Sequence, residues 1–142
     1  MIDYGKCNNF CHCVALPIDQ RSCMYTINPE AALSPVEIAQ GQLDAYNARD
    51  IDQFARHFSA TVKSYRMPSL TPIINGKDEL IAFYQAERFV HANLHAQLLD
   101  RIVLGNKIFD HERITGLSAE PIEVVAVFEV VDGLIETIWG FS

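Results

Sequence analysis

Four consecutive ionisable residues, Asp110-His111-Glu112-Arg113, interrupt an otherwise strand-like stretch from Lys107 to Gly116. Successive side chains of a strand point to opposite faces. Asp110 and Glu112 therefore share one face, and His111 and Arg113 share the other. If the strand is internal to a sheet packed on helices, one pair points into the protein, where it needs partners, water or a ligand. Two carboxylates close together in an apolar cup repel, so one of them becomes a usable general acid or base near neutral pH. The alternative for Asp110 and Glu112 is a salt-bridge network with Arg66 or Arg101 of neighbouring strands, since structural ion pairs perturb pKa values as well. For His111 and Arg113 the expectation is an outer sheet face with local hydrogen bonds.

The elements that must position these residues can be read around them. Ser34-Pro35-Val36-Glu37 is a helix start: Ser34 caps, Pro35 suits the first turn and Glu37 completes a capping box. Val36, Ala39, Leu43 and Tyr46 then recur at helical spacing to about Asn47. Asp50 and Gln53 open a second, short helix with Ile51, Phe54, Ala55 and Phe58 on its apolar face. Thr61 to Met67 reads as a strand ended by Pro68, and Pro68 to Gly76 as a loop. Lys77 to Glu87 is a third helix with Asp78 and Glu79 in its first turn. Four strands follow: His91 to Leu104, Lys107 to Gly116, Pro121 to Val131 and Leu134 to Phe141. Gly105-Asn106 and Asp132-Gly133 are turn signals between them. Successive strands of a meander are neighbours, so the Lys107 strand is internal. The order predicts an α+β domain with helices on one face of a curved antiparallel sheet.

Composition limits the function. The 142 residues carry 18 Asp and Glu against 11 Lys and Arg, a net charge of −7. That argues against nucleic acid or an anionic membrane surface as partner. No apolar run approaches the ~20 residues of a membrane helix, and no secretory h-region follows the first Met. The expectation is a cytoplasmic protein with no cofactor.

Cys7, Cys11, Cys13 and Cys23 all lie in the first 23 residues, with His12 among them. Their irregular spacing lacks a paired C-x-x-C, so a metal site is disfavoured. Residues 1–33 are expected to be a peripheral extension, with Met24 as an alternative start, before a domain over residues 34–142. His91 and His95, four apart, would suit a metal only on a helix, and they are read at the start of a strand. No metal site is expected.

Residues 34–142 resemble the nuclear transport factor 2-like superfamily, which includes ketosteroid isomerases and SnoaL-like polyketide cyclases. The resemblance rests on Leu43-Asp44-Ala45-Tyr46-Asn47-Ala48-Arg49-Asp50-Ile51-Asp52, on Ile74-Asn75-Gly76-Lys77-Asp78-Glu79-Leu80-Ile81-Ala82-Phe83-Tyr84, and on the Val131-Asp132-Gly133-Leu134-Ile135 hairpin. It implies a cone-shaped sheet of the cystatin-like kind with three helices on its concave face, a cavity between them, and a homodimer. The isomerase mechanism uses an aspartate base and an oxyanion hole of a tyrosine and a protonated aspartate. Overlay puts Gln42 near the tyrosine's place, Ser64 or Tyr65 near the base, and Val127 near the second aspartate. None of the three roles is filled, so that mechanism is rejected.

The same overlay implies strand faces. It turns Asp110, Glu112 and Ile114 toward the cavity, with Val125, Val127 and Glu129 from the next strand. Ile138 and Gly140 point inward, and Trp139 and Phe141 outward as an interface. A one-residue slip would reverse each assignment. The resulting candidates are Asp110 and Glu112 for acid–base chemistry, and Tyr65, Arg66, Val127, Glu129 and Ile138 for contact with a small, partly apolar ligand. A cavity of ~300 Å³ or more with both acids on its wall would favour such a pocket. Acids fully paired with arginines would favour the alternative, a non-catalytic ligand-binding or dimerisation module.

Overall fold

The computed structural model describes residues 32–142. The expectations for the cysteine segment fall outside the described residues. The first helix, α1 (Pro35–Ala48), begins with the anticipated capping box. The Ser34 amide donates to Glu37 Oε2 at 2.7 Å, and the Glu37 amide donates to Ser34 Oγ at 3.2 Å. Arg49 ends the helix in the left-handed region (φ 53°). Asp50 caps α2 (Ile51–Ala55) by accepting from the Gln53 amide at 3.1 Å.

Six strands and a third helix complete the domain: β1 (Phe58–Arg66), β2 (Ile74–Asn75), α3 (Lys77–Glu87), β3 (His95–Leu104), β4 (Lys107–Thr115), β5 (Ile122–Val131) and β6 (Leu134–Phe141). They form one sheet in the order β2-β1-β6-β5-β4-β3. β4 is internal, between β3 and β5, as the meander requires. Two features differ from the sequence expectation. The two-residue β2 forms inside the anticipated loop, and β1 joins β6 in parallel rather than antiparallel fashion. The strand expected from His91 starts at His95. There Asn47 of α1 clamps it, donating to the Ala96 carbonyl at 2.9 Å and accepting from the Ala96 amide at 2.8 Å.

The core lies between the helices and the inner face of the sheet. Ile38 and Phe54, Leu80 of α3, and Phe58, Val62, Ile108 and Ile135 of the sheet are all sealed from solvent. Tyr46, Phe54, Tyr84 and Phe89 interlock with ring centroids 4.5–6.2 Å apart, mostly tilted or edge-on. Such packing fixes the rings, and hence the direction of both tyrosine hydroxyls.

Candidate functional site

Asp110 and Glu112 both point inward, and His111 and Arg113 outward. The outer pair shares one acid. His111 Nε2 lies 3.2 Å and Arg113 2.7 Å from the exposed Glu123.

The two inner acids have different surroundings. Asp110 is completely buried and closed by Arg101, whose Nε lies 2.6 Å from Oδ1 and whose Nη2 lies 2.8 Å from Oδ2. The remaining Nη1 of Arg101 donates to Gln40 of α1 at 3.0 Å. Fully buried, held in this bidentate pair and absent from the cavity wall, Asp110 is not offered to a ligand. A β-bulge makes the pairing. Leu98 sits opposite Glu112, but Arg101 sits opposite Asp110, so the register slips by one between Leu98 and Asp100. The extra residue turns Asp100 outward and brings Arg101 to the inner face. Strict alternation would have faced Asp100 toward Asp110.

Glu112 lies two residues further along β4 and is 7% exposed. No hydrogen bond or salt bridge joins its carboxylate to any described residue. Burial, and secondarily the charge of Asp110, push it up to about 7, while Arg101 pulls it the other way. At neutral pH the carboxyl is therefore divided between its two forms, as a group that both gives and takes protons requires.

Glu112 forms part of the wall of a cavity of about 170 Å³ between α1, α3 and the sheet. Gln42 and Tyr46 of α1 face it, with Tyr84 and Arg88 from α3 and the residues after it, and Ser64 from β1. The rest of the wall is largely apolar, from Leu43, Ile74, Ile114, Phe128 and Ile138. Burial raises both tyrosines, Tyr84 to about 12, so both remain neutral hydroxyls. The Tyr46 hydroxyl is fully buried and has no hydrogen-bond partner. An unmade hydrogen bond at such a group costs about 1–3 kcal/mol. The arrangement is an apolar chamber with one titratable acid and several neutral donors converging on it.

Arg66 and Ile138 line this wall; Tyr65 also borders the cavity, but its register with Trp139 turns its side chain to the outer face, and Val127 and Glu129 do not line the cavity. Register pairs Ala126 with Asp110 and Val124 with Glu112, so the even-numbered residues of β5 face inward. Val127 instead stacks between Phe109 and Trp139 on the outer face. Glu129 is there too, 3.4 Å from Lys107 and bonded to Thr137. The inward assignment of Val127 and Glu129 is thus corrected. The apolar run Val124–Phe128 shows no alternation, so the sequence gives no signal of which residues face in. Tyr46, Tyr84 and Arg88 were missed as cavity residues. The available signal was that a tyrosine on a buried helical stripe carries a hydroxyl that needs a partner.

A family model described as the SnoaL-like domain matches residues 39–138. The chain belongs to the SnoaL-like family. Its fold is that of the nuclear transport factor 2-like superfamily, whose solved members superpose on it. A cystatin-fold protein from Novosphingobium aromaticivorans is 20% identical with a TM-score of 0.72, covering 78% of this chain and 99% of that one. A protein provisionally assigned as a ketosteroid isomerase, from Kribbella flavida, is 22% identical with a TM-score of 0.65, covering 73% of each chain. A provisionally assigned polyketide cyclase from Sinorhizobium meliloti is 18% identical with a TM-score of 0.64, covering 76% and 99%. No curated protein matches the sequence. At these identities the structures establish the fold alone. No helix among the described residues is long and apolar enough to cross a membrane.

Proposed function

We propose that this SnoaL-like protein binds a small, partly apolar molecule and performs cofactor-free acid–base chemistry on it, with Glu112 as the proton carrier. One observation carries the reading: Glu112 is buried on the cavity wall without a partner among the described residues, in surroundings that hold it near neutrality. Evolution tolerates an unpaired buried acid where it acts, because such a group costs stability. Asp110 takes a supporting part, since it is buried in its pair with Arg101 away from the cavity wall while its charge helps to raise Glu112.

The base can be tested with 5-nitrobenzisoxazole, a flat apolar molecule whose ring opens when one C–H proton is removed. The rate should rise with pH through about 7 and vanish in Glu112→Gln. Equal rates in the two proteins would remove Glu112 from the chemistry.

We also infer a homodimer through the outer sheet face. Register lines up Ile102, Phe109, Val127, Trp139 and Tyr65 as one row across five strands. A continuous row of large apolar side chains on a sheet face is the composition of an interface core. The non-catalytic alternative draws on the 170 Å³ cavity, smaller than a typical ligand pocket, and on the closed Asp110–Arg101 pair. The unpaired Glu112 supports the acid–base reading over this alternative.

A further inference from the structure

Two arginines that line the cavity have no acidic partner among the described residues. Arg66 ends β1, and Arg88 follows the last turn of α3. Among the described residues the ion pairs use Arg101, Lys107, His111 and Arg113, and neither Arg66 nor Arg88 donates a side-chain hydrogen bond. The Arg88 guanidinium rests 5.3 Å from the Phe83 ring centroid, which fixes its position and leaves its N–H donors unused. Acids are not scarce in this chain, with 18 Asp and Glu against 11 Lys and Arg. Both line the cavity, so its wall carries two guanidiniums that have no acidic partner among the described residues.

Arg66, Arg88 and Glu112 line the same cavity, with Tyr46 and Tyr84 on its wall as well. A ligand in it therefore meets two cations and one titratable acid.

We propose that the ligand is a small monocarboxylate, its carboxylate held by Arg66 and Arg88 and its apolar body lying beside Glu112. This rests on the acid–base reading of Glu112 and adds the substrate class to it. A guanidinium fork matches a carboxylate in two parallel hydrogen bonds. A phosphate monoester would bring a second negative charge toward Glu112, which a monocarboxylate avoids. The cavity of about 170 Å³ fits a body of one six-membered ring, since an apolar cavity of ~150 Å³ holds benzene. An ammonium ligand would suit the aromatic rings and Glu112, but it would face two guanidiniums.

Four probes of one shape separate these cases: phenylacetate, phenylacetamide, benzylamine and phenyl phosphate, titrated calorimetrically into the full chain at pH 6. Phenylacetate should bind at least ~10-fold more tightly than phenylacetamide, the difference expected from one charged hydrogen-bonded contact. The preference should fall to within about threefold in the Arg66→Gln/Arg88→Gln variant, whose melting temperature should stay within a few degrees of the unmodified protein's, because neither arginine has an ion pair among the described residues and Arg88 loses only its contact with Phe83. Four results would overturn the proposal: no phenylacetate binding at millimolar concentration, equal binding of the amide, tighter binding of the amine or the phosphate, or a preference that survives the double variant. Carboxyl NMR of Glu112 on the same samples separates the two readings. A midpoint near 7 without any anion preference would remove only the substrate class, whereas a midpoint at the ordinary 4.5 would remove the acid–base reading.

Discussion

Replacing Glu112 with glutamine should stabilise this protein while disabling its site. The carboxyl titrates at about 7 in the fold, against 4.5 for an unperturbed glutamate. The folded state therefore holds a proton that the unfolded chain releases between those two values. A group raised in this way adds no penalty below about 4.5, and it lowers stability progressively as pH rises to about 7. Above that the loss is constant, on the order of 3 kcal/mol from 1.36 kcal/mol per pH unit of displacement. Glutamine has the same shape and no charge to desolvate. At pH 8 the Glu112→Gln protein should be more stable in urea by roughly that amount, less the cost of any unpaired amide atom. Its melting temperature should rise by roughly 10 °C for a domain of this size. Near pH 4 the two proteins should coincide. His57, held low by burial first and by Arg56 second, contributes stability that grows with pH over an overlapping range. It is present in both proteins, so the difference curve isolates Glu112. Superimposable stability–pH profiles, or a less stable variant at pH 8, would refute the placement of Glu112 in a poorly solvated wall.

The neighbouring acid should behave in the opposite way. Asp110→Asn leaves the Arg101 guanidinium, 13% exposed, without its counter-charge, and should cost about 3 kcal/mol in urea unfolding at pH 7; full stability in that variant would show that the pair is not structural. It follows that a combined Asp110 and Glu112 substitution cannot separate site from scaffold, whereas the two single variants can. For the proposed dimer, Trp139→Asp should give the monomer mass in sedimentation, while the unmodified chain at tens of micromolar sediments as two copies; a monomeric unmodified chain would refute the interface.

Much of the scaffold was legible because its signals are local. Ser34 and Glu37 satisfy each other's backbone within one helical turn, so the start of α1 needs no tertiary information. Asp132 and Gly133 both take positive φ, at 52° and 78°, the requirement of the tight hairpin their types announced. The four consecutive charges of β4 could be sorted into two opposite pairs by strand alternation alone, but which pair turns inward came only from the family resemblance and is fixed by the burial of Ile108 and Asp110. The short β2 was not legible. Two residues carry no periodicity, and Ile74 is recruited as a strand only by its pairing with Ser64.

The site divides along the same line. The sequence by itself determined that the two acids share one face of an internal strand; that this face turns inward was implied only by the family resemblance. It could not determine which acid is free. That depends on one extra residue in β3, which rotates Arg101 inward and commits it to Asp110, and such a bulge has no marker among Leu98, Leu99 and Asp100. Nor could the sequence determine the facing of Val127, because β5 is apolar on both faces and its parity is set by pairing with β4. The four charges of Asp110-His111-Glu112-Arg113 were visible from the start. Only the tertiary structure, by pairing three of them, left Glu112 alone in the cavity wall.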